Sequence, residues 1–178
     1  MKAILTRGIS ASGKTTWAEQ YCKDTGAINI NRDDIRFNLF CDGKRDWSLY
    51  KFTKQREKEV TQNQHDQIES TAALGMDVII SDTNINPNTV TSLTNLLESY
   101  GYEVEIKDFW VDVQEALLRD AKRSNGVGYK VIMDQYKRYC ELLFSGDYHK
   151  HRSGKPDVII VDVDGTVADM VGVRTPFE

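Results

Sequence analysis

The sequence predicts an α/β domain built on a mainly parallel sheet with helices on both faces. Strand-length apolar runs alternate with helical patterns, the order that parallel strands joined by crossover helices require. The first strand, Ala3-Ile4-Leu5-Thr6, runs straight into a glycine-containing loop and then a helix. The longest apolar runs, such as Val78-Ile79-Ile80 and Val158-Ile159-Ile160-Val161, are the size of buried strands and far too short to cross a bilayer.

The loop is Gly8-Ile9-Ser10-Ala11-Ser12-Gly13-Lys14-Thr15, which matches G-x-x-x-x-G-K-[ST] at every fixed position. Glycines let successive N–H groups face one centre, and the following helix adds the partial positive charge of its N-terminus. Lys14 supplies a cation for the β- and γ-phosphates, and the Thr15 hydroxyl a hard oxygen ligand for Mg²⁺. The sheet is therefore expected to be of the P-loop NTPase type, binding a nucleoside triphosphate through Gly8, Ser10, Ala11, Ser12, Gly13, Lys14, Thr15 and Thr16.

Thr16 to Cys22 reads as the first helix and Ala27 to Ile30 as the second strand. That strand runs into Asn31-Arg32-Asp33-Asp34, where Asp33 or Asp34 can cap a helix starting near Ile35. Lys44 to Asp46 is a polar break, and a helix or helix pair covers about Leu49 to Leu74, ending at Gly75. Asp77 to Ser81 is the clearest buried strand, with Asp82-Thr83-Asn84 at its C-terminal end. Pro87 opens a helix whose apolar face carries Val90, Leu93, Leu96 and Leu97, with Gly101 beyond it. Tyr102 to Trp110 alternates as a strand, and Asp112-Val113-Gln114-Glu115 is a capping box for a helix running to about Arg123. Ser124 to Gly128 reads as a flexible loop before a helix from about Val131 to Phe144. A polar linker from Ser145 to Pro156 then leads to Val158–Val161 and Asp162-Val163-Asp164-Gly165-Thr166. Two units follow: a P-loop domain over 1–150, and a linker and stub over 151–178.

A chain of 178 residues, 40% of them hydrophobic, suffices for one sizeable core. The charged share of 28% and mean hydropathy of -0.50 are those of an ordinary soluble protein. A net charge of -4 argues against a globally basic nucleic-acid coat but leaves room for a local basic tunnel. Cys22, Cys41 and Cys140 are odd in number and lack C-x-x-C spacing, so reduced thiols in a cytoplasm are expected. His65, His149 and His151 show no zinc spacing with them and read as surface residues. The N-terminus does not look like a signal peptide, and no membrane partner is expected. Assembly as a homo-oligomer is left open.

In an open parallel sheet, ligands gather at the carboxyl ends of the strands. Lys14 and Thr15 follow the first strand there, Asp33 the second and Asp82 the third, while Arg36 lies one helical turn beyond Asp33. Phosphoryl transfer to an alcohol needs one carboxylate to accept the hydroxyl proton and cations to neutralise the phosphoryl oxygens. Asp33 fits the first role, with a helix cap as its plainer alternative; Asp34 is the better pure cap. Asp82 ends an apolar strand as a Walker-B-type aspartate does and can hold a water on Mg²⁺; alternatively it caps the turn at Thr83-Asn84. Arg119, Lys122 and Arg123 fall at i, i+3 and i+4 before the loop. They read either as a solvated, dipole-stabilising cluster or as a helical lid over the triphosphate, with Arg123 first and Arg119 second.

Gly8–Thr15, Asn29-Ile30-Asn31-Arg32-Asp33-Asp34-Ile35-Arg36, Ile79 to Pro87 with its Ser81-Asp82-Thr83-Asn84, Arg119–Arg123 and Asp162–Thr166 occur in that order. Together they resemble the 5′-polynucleotide kinases of T-even-type phages. The resemblance implies transfer of the γ-phosphate of ATP, with Mg²⁺, to 5′-hydroxyl ends of DNA or RNA in end repair. It implies Asp33 as the general base, Arg36 as the binder of the acceptor's 3′-phosphate, and Lys14 and Thr15 at the donor phosphates and Mg²⁺. It implies Arg123 as the lid arginine and Asp82 as a required active-site residue. Arg32, Thr83 and Asn84 belong to the acceptor-side motifs. A phage source would place the chain in the cytoplasm of an infected host. In that family a phosphatase domain follows D-x-D-G-T. Here Asp162 and Asp164 match its nucleophile and acid/base positions, yet only a stub follows, so 3′-phosphatase activity is not expected. The rival readings are a P-loop kinase of a small-molecule alcohol, such as a nucleoside or sugar, and a non-catalytic nucleotide-binding switch. A guanine-reading N-K-x-D is absent from the sequence, which ranks the switch lower.

Overall fold

In β1 (Lys2–Arg7) and β3 (Val78–Ile80), side chains alternate between two covered faces, so both strands are apolar on each side. The computed structural model describes residues 1–144; the linker and the Asp162–Thr166 motif lie outside the described residues. Between β1 and β3 come α1 (Lys14–Thr25), β2 (Ile28–Ile30), α2 (Arg32–Phe40), a 3-10 turn (Trp47–Leu49) and α3 (Lys54–Ala73). After β3 follow α4 (Pro87–Ser99), β4 (Glu103–Asp108), α5 (Val113–Ala121) and α6 (Tyr129–Phe144). The four strands are parallel in the order β2-β3-β1-β4, with Ile4 opposite Ile79 and Asn29 also opposite Ile79.

Ala3 and Leu5 of β1, with Val78 and Ile80 of β3, face Ile35, Val60, Ile68, Val90, Leu93 and Leu97 from α2, α3 and α4. Ile4 and Ile79 turn the other way, onto Ala18 of α1 and Ala27. Each fully buried Val or Ile of β3 contributes about 1.5–3 kcal/mol relative to leaving it in water. β1 and β3 are the inner strands, and β4 lies at an edge with Ile106 40% exposed. A third cluster joins Ile9 and Ala11 of the phosphate loop to Ala116 of α5 and to Ile132 and Tyr139 of α6. The Tyr139 hydroxyl donates to Asp108 Oδ1 at 2.9 Å, while Arg7 grips both Asp108 oxygens at 2.7 and 2.8 Å. These bonds tie α6 to the ends of β1 and β4.

Three elements depart from the sequence expectation. α2 begins at Arg32, not near Ile35, and its cap is Asn31 rather than Asp33 or Asp34. Asn31 Oδ1 accepts from the Asp33 and Asp34 amides at 2.9 and 3.3 Å, while its Nδ2 donates to Ser81 across the sheet at 2.9 Å. Asp33 and Asp34 are thereby released into the first helical turn, where the helix dipole favours a carboxylate. Next, α3 starts at Lys54 under a Thr53 cap, because Trp47 and Tyr50 leave the helical path to pack on Phe37 and Cys41. Last, α5 ends at Ala121, two residues short of Arg123. The buried Asp120 carboxylate accepts from the Val127 and Gly128 amides at 3.1 and 2.8 Å, and its carbonyl accepts from the Arg123 amide at 3.0 Å. The 124–128 loop, expected to be flexible, is held on Asp120, and Lys122 and Arg123 lie beyond the last residue of α5.

Candidate active site

The phosphate loop is fixed from several sides. The Gly8 amide donates to the Thr83 carbonyl at 3.0 Å, and a Cβ on Gly8 would collide with the Phe109 carbonyl oxygen. Gly8 thus shapes the loop and, alone among the loop residues expected to bind nucleotide, does not line the cavity beside it. The Ser10 amide donates to Gln135 Oε1 of α6 at 2.7 Å. Ala11 sits at φ 63, a left-handed conformation costing a non-glycine residue about 1–2 kcal/mol. Gly13 caps α1 at φ 96 with no side-chain cap, so among the described residues the first amides of α1 remain unsatisfied at the cavity, as an anion site requires.

Lys14 is 6% exposed, with Nζ donating to the Ile9 carbonyl at 2.6 Å and to Ser12 Oγ at 3.2 Å. Burial and the neighbouring Arg123 guanidinium push its pKa down to about 8, against the opposing pull of Asp82 and Asp33. A cavity of about 890 Å³ runs from Ser10–Thr16 past Asp33, Arg36 and Asp82–Asn86 to Arg123. The strand-end motifs and Arg123 therefore meet around one space. Arg119 is not on that wall. Its Nε pairs with Glu115 at 2.7 Å, and it lines an adjoining hollow with Thr16, Trp17, Gln20 and Arg123. Lys122 lines neither. His65, expected at the surface, is half-buried on the cavity wall.

Asp82 does not cap Thr83-Asn84. Its Oδ1 accepts from the Arg32 amide at 2.8 Å, and its Oδ2 from Gln64 Nε2 at 2.8 Å. Burial raises its pKa, while those two hydrogen bonds favour the carboxylate. Asn84, at φ 46, spends its amide on the Thr6 and Ile80 carbonyls at 2.8 and 3.2 Å and holds the strand ends together.

Asp33 lines the cavity with its side chain 51% exposed. One oxygen accepts from Arg36 Nη1 at 2.6 Å, and the other has no hydrogen-bond partner among the described residues. Arg36 in turn donates Nε and Nη2 to Glu57 at 3.0 and 2.7 Å. Glu57 also accepts from Arg32 Nη2 at 3.2 Å and from the Tyr50 hydroxyl at 2.8 Å. Sequence reasoning missed this hub, because an acidic residue in the first turn of a helix reads as a dipole partner. Glu57 also offsets the positive charge of Arg32 and Arg36, while Arg56 lies over the Phe40 ring at 4.9 Å.

Hydrogen bonds from Arg36, and also from Tyr50 and Arg32, hold the Glu57 carboxyl down at about 2 despite its partial burial. A depressed carboxyl contributes stability that is complete above its unfolded value of about 4.3 and is lost as pH falls toward the folded value. Glu57→Gln is thus expected to lower Tm at pH 7. The gap to wild type should close as pH falls from about 4.3 toward 2, as read by thermal melts across pH. A gap independent of pH would contradict the assignment.

The residues present fit Mg²⁺. Thr15 lines the cavity, its hydroxyl has no hydrogen-bond partner among the described residues, and Asp82 keeps a free lone pair on each oxygen. No group of three or more His, Cys, Asp or Glu able to hold a metal is present among the described residues. One hydroxyl and one carboxylate suit an ion that keeps waters and shares phosphate oxygens.

A parallel sheet with an uncapped phosphate loop after β1 and cavity-lining acidic groups after β2 and β3 defines a P-loop kinase-like domain. The AAA domain family profile matches residues 4–142, and the chain belongs to that family. It is 32% identical over 171 residues to the "Putative bifunctional polynucleotide kinase/RNA ligase" of Autographa californica nuclear polyhedrosis virus. That match covers 90% of this chain and 24% of the relative, so the chain spans about a quarter of that relative's length. Among solved structures, a chain of the Pnkp1/Rnl/Hen1 RNA repair complex superimposes with a TM-score of 0.68 at 22% identity. The superposition covers 83% of this chain and 46% of that one. A gluconokinase from Sinorhizobium meliloti 1021 matches with a TM-score of 0.54 at 13% identity, covering 77% and 74%. The structural likenesses establish the fold. The likeness to a polynucleotide kinase/RNA ligase rests on the viral relative, and a phage source on the motif resemblance alone. No helix among the described residues is long and apolar enough to cross a membrane.

Proposed function

We propose that this domain transfers the γ-phosphoryl group of ATP to the 5′-hydroxyl end of a DNA or RNA strand, as a step of nucleic-acid end repair, with residues 1–150 as the catalytic unit. The observation that carries the reading is the meeting of Lys14, Asp33 and Arg123 around one cavity, with Arg36 anchored beside Asp33. The loop amides and Lys14 hold the β- and γ-phosphates, and the hollow beside Arg119 and Trp17 receives the rest of the donor. The free oxygen of Asp33 accepts the hydroxyl proton as the acceptor oxygen bonds to the γ-phosphorus and the bond to the β–γ bridging oxygen breaks. Arg123 balances charge on the transferring group. Mg²⁺, held at Thr15 and through water at Asp82, would supply charge neutralisation at the donor phosphates. The viral relative's name supports a polynucleotide acceptor, and the N-R-D-D-x-R and S-D-T-N segments support it independently.

The test is transfer of labelled γ-phosphate from ATP to 5′-hydroxyl oligonucleotides beside free nucleosides and sugars. Preference for a small alcohol would replace the polynucleotide reading. Arg36 has committed three of its five N–H groups, leaving two for an acceptor phosphate. Arg36→Ala is therefore expected to raise the acceptor KM more for a 3′-phosphorylated nucleotide than for one lacking that phosphate. Equal effects on the two acceptors would remove Arg36 from the acceptor site.

A further inference from the structure

We propose that Trp47 and Phe52 form a stacking platform for a nucleobase of the acceptor strand, an inference that rests on the polynucleotide reading and gives it a base-binding surface. Phe52 is 63% exposed although a satellite core of Phe37, Cys41 and Tyr50 lies next to it. Its ring stacks near-parallel on Trp47, with centroids 5.8 Å apart and planes 19° apart. Tyr50 stands edge-on to both rings at 84° and 81° and is itself buried, so it braces the pair from the core side. Trp47 also lies on the wall of the cavity that contains Asp33.

Arg36 joins this platform to the chemistry. Its guanidinium lies 5.8 Å from the Phe52 ring centre, and the same group donates to Asp33 at 2.6 Å. A nucleotide whose sugar hydroxyl reached Asp33 would thus have its base within reach of the two rings and a phosphate within reach of Arg36. Lys51 and Lys54 flank Phe52 and are exposed, the interleaving of cations and an aromatic that follows a single-stranded backbone. Stacking is also indifferent to sequence, because every base has a π-face, and that suits an enzyme acting on strand ends. Trp47 anchors the pair on the Phe37 and Cys41 cluster, while Phe52, the outer ring, is left in solvent.

The experiment compares wild type with Phe52→Ala in steady-state transfer to a short 5′-hydroxyl oligonucleotide, and to the same strand made abasic at its first two nucleotides. Loss of one stacking contact is expected to raise the acceptor KM about tenfold for the intact strand while the KM for ATP stays unmoved. The abasic strand should bind wild type as weakly as the intact strand binds Phe52→Ala, and Phe52→Ala should not weaken it further. Phe52→Tyr, which keeps the face, should restore the acceptor KM. Transfer with an acceptor KM unchanged in Phe52→Ala would overturn the platform alone. A concentration-dependent dimer dissolved by Phe52→Ala, with the KM unchanged, would assign the face to a second copy of the chain and overturn it as well. No transfer by wild type to any 5′-hydroxyl oligonucleotide would overturn the polynucleotide reading and the platform with it.

Discussion

Lys14→Ala is expected to lower kcat by about 10²–10³-fold, the cost of removing one preorganised charge from a transition state. Lys14 does not wait in solvent for its ligand: burial has stripped it of water, and among the described residues its only anchors are one carbonyl and one hydroxyl of its own loop. Triphosphate oxygens would replace those weak partners with full negative charge in a low-dielectric site, where each contact counts for more than in water. With its pKa near 8 in the free protein, the lysine is partly neutral under mildly alkaline conditions. Binding an anion raises that value, so donor affinity should fall as pH rises through about 8 in wild type and lose that dependence in Lys14→Ala. Single-turnover transfer and nucleotide-binding titrations at several pH values check both parts. Wild-type turnover in a folded Lys14→Ala protein would sink the donor assignment.

Asp33→Asn is expected to keep ATP binding and lose about 10²–10⁴-fold in transfer, the range that general-base catalysis covers. The amide preserves shape and can still accept from Arg36, so the change isolates the loss of a proton acceptor. Asp34 is the control. It sits one residue on, half-buried, and is engaged by Arg45 rather than by the Arg36–Glu57 network. Asp34→Asn should leave transfer close to wild type; the reverse pattern would mean that the base is Asp34.

What the sequence made legible was whatever is encoded locally. The phosphate loop needs its glycines, lysine and threonine within eight consecutive residues, and its strand and helix are adjacent. The strand ends at Asp33 and Asp82 followed from apolar runs of strand length, and the parallel topology then brought them together. The misreadings arose where a distant partner decided the outcome. Asn31 won the cap over Asp33 because Ser81, fifty residues away, holds its amide group in place. α5 stopped at Ala121 because Asp120 reaches forward to amides seven and eight residues later, a contact that no helical pattern contains. Glu57 was invisible as the residue that gathers Arg32, Arg36 and Tyr50, since nothing in its neighbours announces three partners on two other segments.

The edge position of β4 bears on how this chain survives its own folding. A parallel sheet closes only after long crossovers have been made, so strands pass through a period in which unpaired backbone is on offer to any neighbour. β4 pairs with β1 on one side, and on the other no strand pairs with it among the described residues. Yet Glu103, Glu105, Lys107 and Asp108 alternate along it with only Val104 and Ile106. A second chain docking there in register would set like charges opposite one another or bury them unpaired, and both are costly. Lys2 keeps Glu105 engaged from within the same sheet at 2.7 Å. The charge pattern of this strand is thus a guard against cross-chain strand addition.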